Sequence, residues 1–72
     1  MNKTLAVLYI YDLLLSKKKF QTTDLTEKFG CSLRTVKRHI QSVKKYISIY
    51  HPEKTIKYSA KEKSYFLVAK ED

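Results

Sequence analysis

The chain is poor in the residues that break a backbone or staple it. Its 72 residues include one glycine, one proline, one cysteine and no tryptophan. So little Gly and Pro excludes a linker or a low-complexity tail. The lone Cys31 excludes an internal disulfide, and with no signal-peptide pattern after Met1 it points to a reducing, intracellular setting. Long hydrophobic runs are missing as well. Leu5 to Tyr11 is seven residues before Asp12 interrupts it, far short of the roughly 18 that a membrane span needs. Acidic residues are scarce, 7 against 15 Lys+Arg, for a formal charge of +8. None of them lies between Glu27 and Glu53.

What is present describes one small domain over residues 1–72. A chain of this size buries only about 60% of the surface its unfolded form exposes, so nearly every large apolar side chain is expected in one core or against a second subunit. The strong basic excess favours a polyanionic partner, nucleic acid before an anionic membrane. The basic charge is concentrated mid-chain, at Lys28, Arg34, Lys37, Arg38, Lys44 and Lys45.

Periodicity predicts a first helix over about residues 3–15, capped by Asn2 or Thr4. Its apolar groups fall on almost every side. A helix of that kind is normally covered on two sides, which makes Leu5, Leu8, Tyr9 and Tyr11 candidates for pairing with a second copy. After Lys17, Lys18 and Lys19, read as a solvated loop, Thr22 or Thr23 offers a cap for a short helix over about 23–29. Asp24 and Glu27 favour its positive end, Leu25 and Phe29 form its buried edge, and Gly30 ends it in the left-handed conformation that glycine adopts most cheaply.

Ser32 then caps a third helix, about 33–47. Stepping 100° per residue from Leu33, the residues Val36, Ile40, Val43 and Ile47 share a stripe about 80° wide. Arg34, Arg38, Gln41 and Lys45 lie opposite, Lys37 and Lys44 flank the stripe on one side, and Thr35, His39 and Tyr46 flank it on the other. His51-Pro52 ends the helix. Alternation in residues 55–59 and β-forming residues in 64–68 predict a hairpin over about 55–68, with Lys61 and Lys63 at its tip. Tyr46, Tyr50, Tyr58, Tyr65 and Phe66 are expected to fill the space between this hairpin and the third helix. Cys31 is expected as a small buried hydrophobe in the turn.

The resulting fold class is mainly α with a small β-hairpin. Two helices joined by a tight Gly-containing turn, the second basic on its outer face, form a helix-turn-helix. A B-form major groove accepts one such helix. Arg34 and Arg38, one turn apart, would meet guanine, and Gln41 would meet adenine. Lys37, Lys44 and Lys45 would meet phosphate, while Thr22, Thr23 and Ser32 would hold phosphates at two helix N-termini. Leu33 and Thr35, in the first turn, complete the set, and Lys61 and Lys63 are weighed equally as phosphate contacts and as ordinary turn lysines.

The segment from Thr22 to Ile40, TTDLTEKFGCSLRTVKRHI, resembles the N-terminal winged helix-turn-helix of DeoR-type bacterial regulators and the matching domains of Mga-type and PTS-regulated ones. It keeps Leu25, Phe29-Gly30, Ser32, Arg34-Thr35-Val36, Arg38 and Ile40 of their pattern. His39 stands where these families carry Asp, and Ser64 where a Gly often precedes the hairpin's Tyr. The resemblance covers residues 3–68. It implies a winged helix-turn-helix, sequence-specific binding of double-stranded DNA, a role in transcription regulation and a place at the nucleoid of the cytoplasm. Relatives of this kind usually carry a ligand-binding or oligomerisation domain downstream, so no small-molecule ligand is expected for these 72 residues. A homodimer through the first helix would account for its excess apolar surface.

No enzyme is expected, and no catalytic residue is assigned. There is no G-x-S-x-G and no Gly-rich phosphate loop, and the domain is too small for a deep cleft. His39 and His51 lie 12 apart with no second cysteine, so neither a metal nor a cofactor is expected. Two other readings stay open. One is a protein–protein adaptor, an antirepressor or assembly subunit, which would bind DNA weakly and without regard to sequence. The other is a nonspecific DNA binder with steep salt dependence.

Overall fold

In the computed structural model, which describes residues 2–16 and 19–69, three helices and a two-stranded antiparallel hairpin form the fold: α1 (Lys3–Leu15), α2 (Thr22–Phe29), α3 (Leu33–Tyr50), β1 (Lys54–Ser59) and β2 (Ser64–Ala69). The predominantly helical winged architecture expected from the sequence is therefore present. Lys17 and Lys18, expected in a solvated loop, lie outside the described residues.

Asn2 caps α1, its Oδ1 accepting the Leu5 N–H at 2.9 Å. Of the many apolar residues of α1, Ala6, Ile10 and Leu14 are the ones buried. Their spacing of four puts them on one stripe, and the opposite side keeps Leu5, Leu8 and Leu15 exposed. At the other end, Ser16 closes the helix by donating from its backbone N–H and its hydroxyl to the Asp12 carbonyl.

Gln21, not Thr22 or Thr23, occupies the cap position of α2, and its side chain makes no capping bond. Thr22 is already helical. Asp24 in the first turn and Lys28 in the last complement the helix dipole. Gly30 follows at φ 63°, ψ 38°, and its N–H returns to the Thr26 carbonyl. The Cys31 N–H shares that carbonyl at 3.3 Å. Cys31 itself is half-buried, packed against the edge of the core rather than enclosed in it.

The third helix buries Val36, Ile40, Val43 and Ile47, the stripe expected from its periodicity, and adds His39. His39 was expected on a flank. The C-terminal end of α2 covers that flank: the Phe29 ring stands edge-on to the imidazole at 6.3 Å. Nδ1 of His39 is left buried with no hydrogen-bond partner among the described residues. The helix also runs past residue 47 to Tyr50, where the His51 N–H bonds the Ile47 carbonyl at 2.7 Å and Pro52 prevents continuation.

In the hairpin, Ile56 pairs with Leu67 and Tyr58 with Tyr65. Directly opposed residues share a face, so Ile56 joins the core and Tyr65 and Leu67 pack against it. Phe66 is one position out of register with that face and instead lies under the Lys19 ammonium, 5.9 Å from the ring centroid. Of the aromatics expected between α3 and the hairpin, Tyr65 alone packs against the core, and aliphatic residues take the rest of that role. Tyr46, Tyr50 and Tyr58 are exposed, and Tyr46 and Tyr50 cluster with Tyr11 and His51 at the end of α3. Phe20 meets Tyr65 in an isolated antiparallel bridge outside the two strands, its carbonyl accepting the Tyr65 N–H at 3.0 Å. The positive φ near the hairpin tip falls on Lys63, at 54°. Ser64, which stands where related hairpins often have Gly, is buried in β2 and donates its hydroxyl to the Glu62 carbonyl.

Added at Gly30, a Cβ would meet nothing within 4 Å, so substitution there costs backbone strain alone. Gly30→Ala is expected to lower unfolding free energy by about 1 kcal/mol, and Gly30→Asn by less. Urea denaturation of the two variants beside the wild type measures both.

Candidate nucleic-acid interface

Leu33–Tyr50 contains no Asp or Glu. With its apolar stripe turned to the core, α3 presents a face free of acidic residues on which Arg34, Lys37, Arg38, Gln41, Lys44 and Lys45 are all exposed, while Tyr46, Ile49 and Tyr50 are exposed toward its C-terminal end. The start of the helix is fixed by Ser32, whose Oγ accepts the Thr35 N–H at 3.3 Å and lies 3.1 Å from the Thr35 hydroxyl. That cap orients the first turn, where Leu33 remains exposed and Thr35 is half-buried.

Arg34, Lys37, Arg38 and Gln41 line one shallow open depression together with Leu33, Ser42 and Lys3. Lys3 belongs to the start of α1 and was not among the residues expected from the sequence. Its position preceding the buried stripe of Ala6, Ile10 and Leu14 carries the signal. A side chain at the end of a buried stripe emerges beside whatever the helix packs on, and α1 packs on α3. No ion pair among the described residues engages these cations. Their charge is therefore uncompensated by the protein and available to an anion.

The other expected residues lie elsewhere. Lys45 is exposed on α3 but outside the depression. Lys44 looks into a separate cleft between α3 and β1, beside Ser48, Pro52, Lys54 and Thr55. Lys61 and Lys63 stand exposed on the turn between β1 and β2. That turn is tied to the segment preceding α2: Lys19 Nζ lies 2.7 Å from Glu62 Oε2, and Gln21 Nε2 donates to the Glu62 carbonyl at 3.3 Å. Half-exposed pairs of this kind contribute at most about 1 kcal/mol, but here two contacts and the Phe20–Tyr65 bridge act on one turn. The basic tip is thereby held near Thr22 and Thr23 at the start of α2. The Thr23 hydroxyl is 3.5 Å from the Gln21 amide oxygen, and the first turn of α2 has no side-chain cap competing for its N–H groups.

The candidate contacts thus form two sets, the α3 ridge with Lys3 and the α2 start with the hairpin tip. Both are electrostatic surfaces without a deep cavity. Among the described residues no three of His, Cys, Asp and Glu come together, and no described helix is long and apolar enough to cross a membrane.

A family model described as an HTH domain matches residues 6–52, from the first turn of α1 to just past α3. No curated protein and no solved structure matches the chain.

Because Ser32 supplies the cap that starts α3, Ser32→Ala is expected to lower stability by about 1 kcal/mol, and Ser32→Asp to restore most of it. Thermal unfolding without any nucleic acid reads this effect separately from binding.

Proposed function

The chain belongs to the helix-turn-helix domain family matched over residues 6–52, and from that premise we propose that it binds double-stranded DNA sequence-specifically, as a homodimeric transcription regulator with α3 in the major groove. The observation that carries this reading is the acid-free outer face of α3, with Arg34, Lys37, Arg38, Gln41 and Lys3 around one open depression. An 18-residue helix held by a narrow apolar stripe projects far enough to enter a groove about 12 Å wide. Its two arginines suit bidentate contacts to guanine, and Gln41 suits adenine.

Positioning contacts come from the other residues. Ser32, Thr22 and Thr23, with the N–H groups at two helix starts, suit phosphate oxygens. Lys37 and Lys45 continue the α3 ridge onto the backbone, and Leu33 and Thr35 fill its first turn. Lys61 and Lys63 would meet phosphate on the flank where Lys19 and Gln21 hold the hairpin tip. Lys44, in the cleft beside β1, is the most peripheral member. The finer likeness to DeoR-type, Mga-type and PTS-regulated bacterial regulators rests on the Ser32 to Ile40 motif and on a basic hairpin following α3. The place of action under this reading is the bacterial cytoplasm, at the nucleoid.

A single module offers limited specificity, and two modules on half-sites about one helical turn apart supply the rest. Pairing through α1 leaves both α3 ridges available.

The test separates reading from anchoring. Arg38→Ala is expected to cost about 1–3 kcal/mol at the cognate site and to relax the base preference there. Lys45→Ala should weaken all sequences alike and flatten the dependence of log K on log salt by about one unit. Titrations of cognate and scrambled duplexes measure both. A folded Arg38→Ala protein that binds its site normally overturns the assignment of α3.

A further inference from the structure

The turn between β1 and β2 carries an acid where a phosphate-binding tip would gain from having none. Glu62 stands between Lys61 and Lys63, and all three are exposed. The contacts that hold this turn converge on it. Its N–H donates to Ser59 Oγ at 3.3 Å, and its carbonyl accepts from Ser64 Oγ at 3.0 Å. Those two bonds stay within the hairpin. Two others cross to the segment before α2: Gln21 Nε2 donates to the same carbonyl at 3.3 Å, and the carboxylate holds Lys19 Nζ at 2.7 Å. The next residue, Lys63, has a left-handed φ of 54°, a conformation that Gly adopts without the steric cost a Cβ brings. A residue stays in such a conformation only where neighbouring contacts fix the backbone, and such residues cluster at functional sites. Glu62 and Ser64, bonded on either side, do the fixing here.

We propose that Glu62 is a positioning residue for DNA binding: through Lys19 and Gln21 it holds the hairpin tip so that the Lys61 and Lys63 ammonium groups meet phosphate oxygens of the duplex that α3 enters. The inference rests on the DNA-binding reading above and deepens it by giving the acid of the tip a role. The sign of its effect on affinity is the distinguishing feature. By charge alone, removing Glu62 raises the net charge by one and releases the Lys19 ammonium, so binding should tighten. By positioning, binding should weaken, because two ammonium groups lose their placement and at most one is gained.

The test is titration of a mixed-sequence duplex of about two helical turns over a range of salt concentrations. Glu62→Ala is expected to weaken binding by about two- to fivefold at low salt, the range that an exposed ion pair supports. Adding Lys19→Glu to Glu62→Lys removes two positive charges yet should tighten binding, because the pair is restored in reverse. Lys63→Gly relieves the left-handed lysine, so its thermal melt should be no lower than that of the wild type, while the slope of log K against log salt flattens by about one unit. Affinity unchanged or improved in Glu62→Ala, a reversed pair weaker than Glu62→Lys alone, or an unchanged salt slope in Lys63→Gly each overturns the positioning role while leaving the function of α3 in place. A wild type that binds no duplex overturns the DNA-binding reading and this proposal together.

Discussion

A helix can face water along most of its length only if a narrow strip of it is held tightly, and α3 is held by Val36, Ile40, Val43 and Ile47, each no more than 2% exposed. Burying such side chains contributes roughly 1.5–3 kcal/mol apiece. Because that attachment is concentrated on one stripe, the rest of the circumference is released from packing and can carry charge. The other elements follow from this constraint. α1 supplies Ala6, Ile10 and Leu14 against the stripe, α2 supplies Leu25 and Phe29, and β1 supplies Ile56. Gly30 makes the short turn between α2 and α3 possible, and Ser32 starts α3 immediately after it.

The same arrangement explains why the cationic groups fall into two sets. The α3 ridge is fixed by helix packing alone, and Lys3 reaches it because α1 lies against α3. The hairpin tip is fixed by polar contacts from a different part of the chain, Lys19 and Gln21 onto Glu62. Glu62, the acid nearest Lys61 and Lys63, is thereby paired with Lys19. The core and the tip are stabilised by different physics, the first by apolar burial and the second by exposed ion pairing that salt screens. The tip is the part whose placement responds most to ionic strength.

Much of this was legible in the sequence because it is local. The α3 stripe follows from a period of 3.6, the Asn2 and Ser32 caps from their hydroxyl or amide acceptors, and the left-handed residue from the lone glycine. What escaped depends on distant partners. α1 is apolar on nearly every side, so its pattern could not say that Ala6, Ile10 and Leu14 face inward while Leu5 and Leu8 do not. The burial of His39 needed Phe29 of another helix. The exposure of Tyr46 and Tyr50 needed the knowledge that Ile47 and Ile56 already fill the space between α3 and the hairpin. Lys3 was invisible as a neighbour of Gln41 because only the packing of α1 on α3 brings them together. The hairpin was legible as strands, but the site to which its tip is tied was not.

The central claim, that the α3 face reads DNA sequence, is tested most directly by selection from a random duplex pool, with recovered sites assayed beside scrambled controls at two salt concentrations. The account predicts an enriched palindromic motif with half-sites about 10 base pairs apart and a large preference over scrambled DNA at both concentrations. Recovery of no motif, with residual binding that disappears as salt rises, would contradict it.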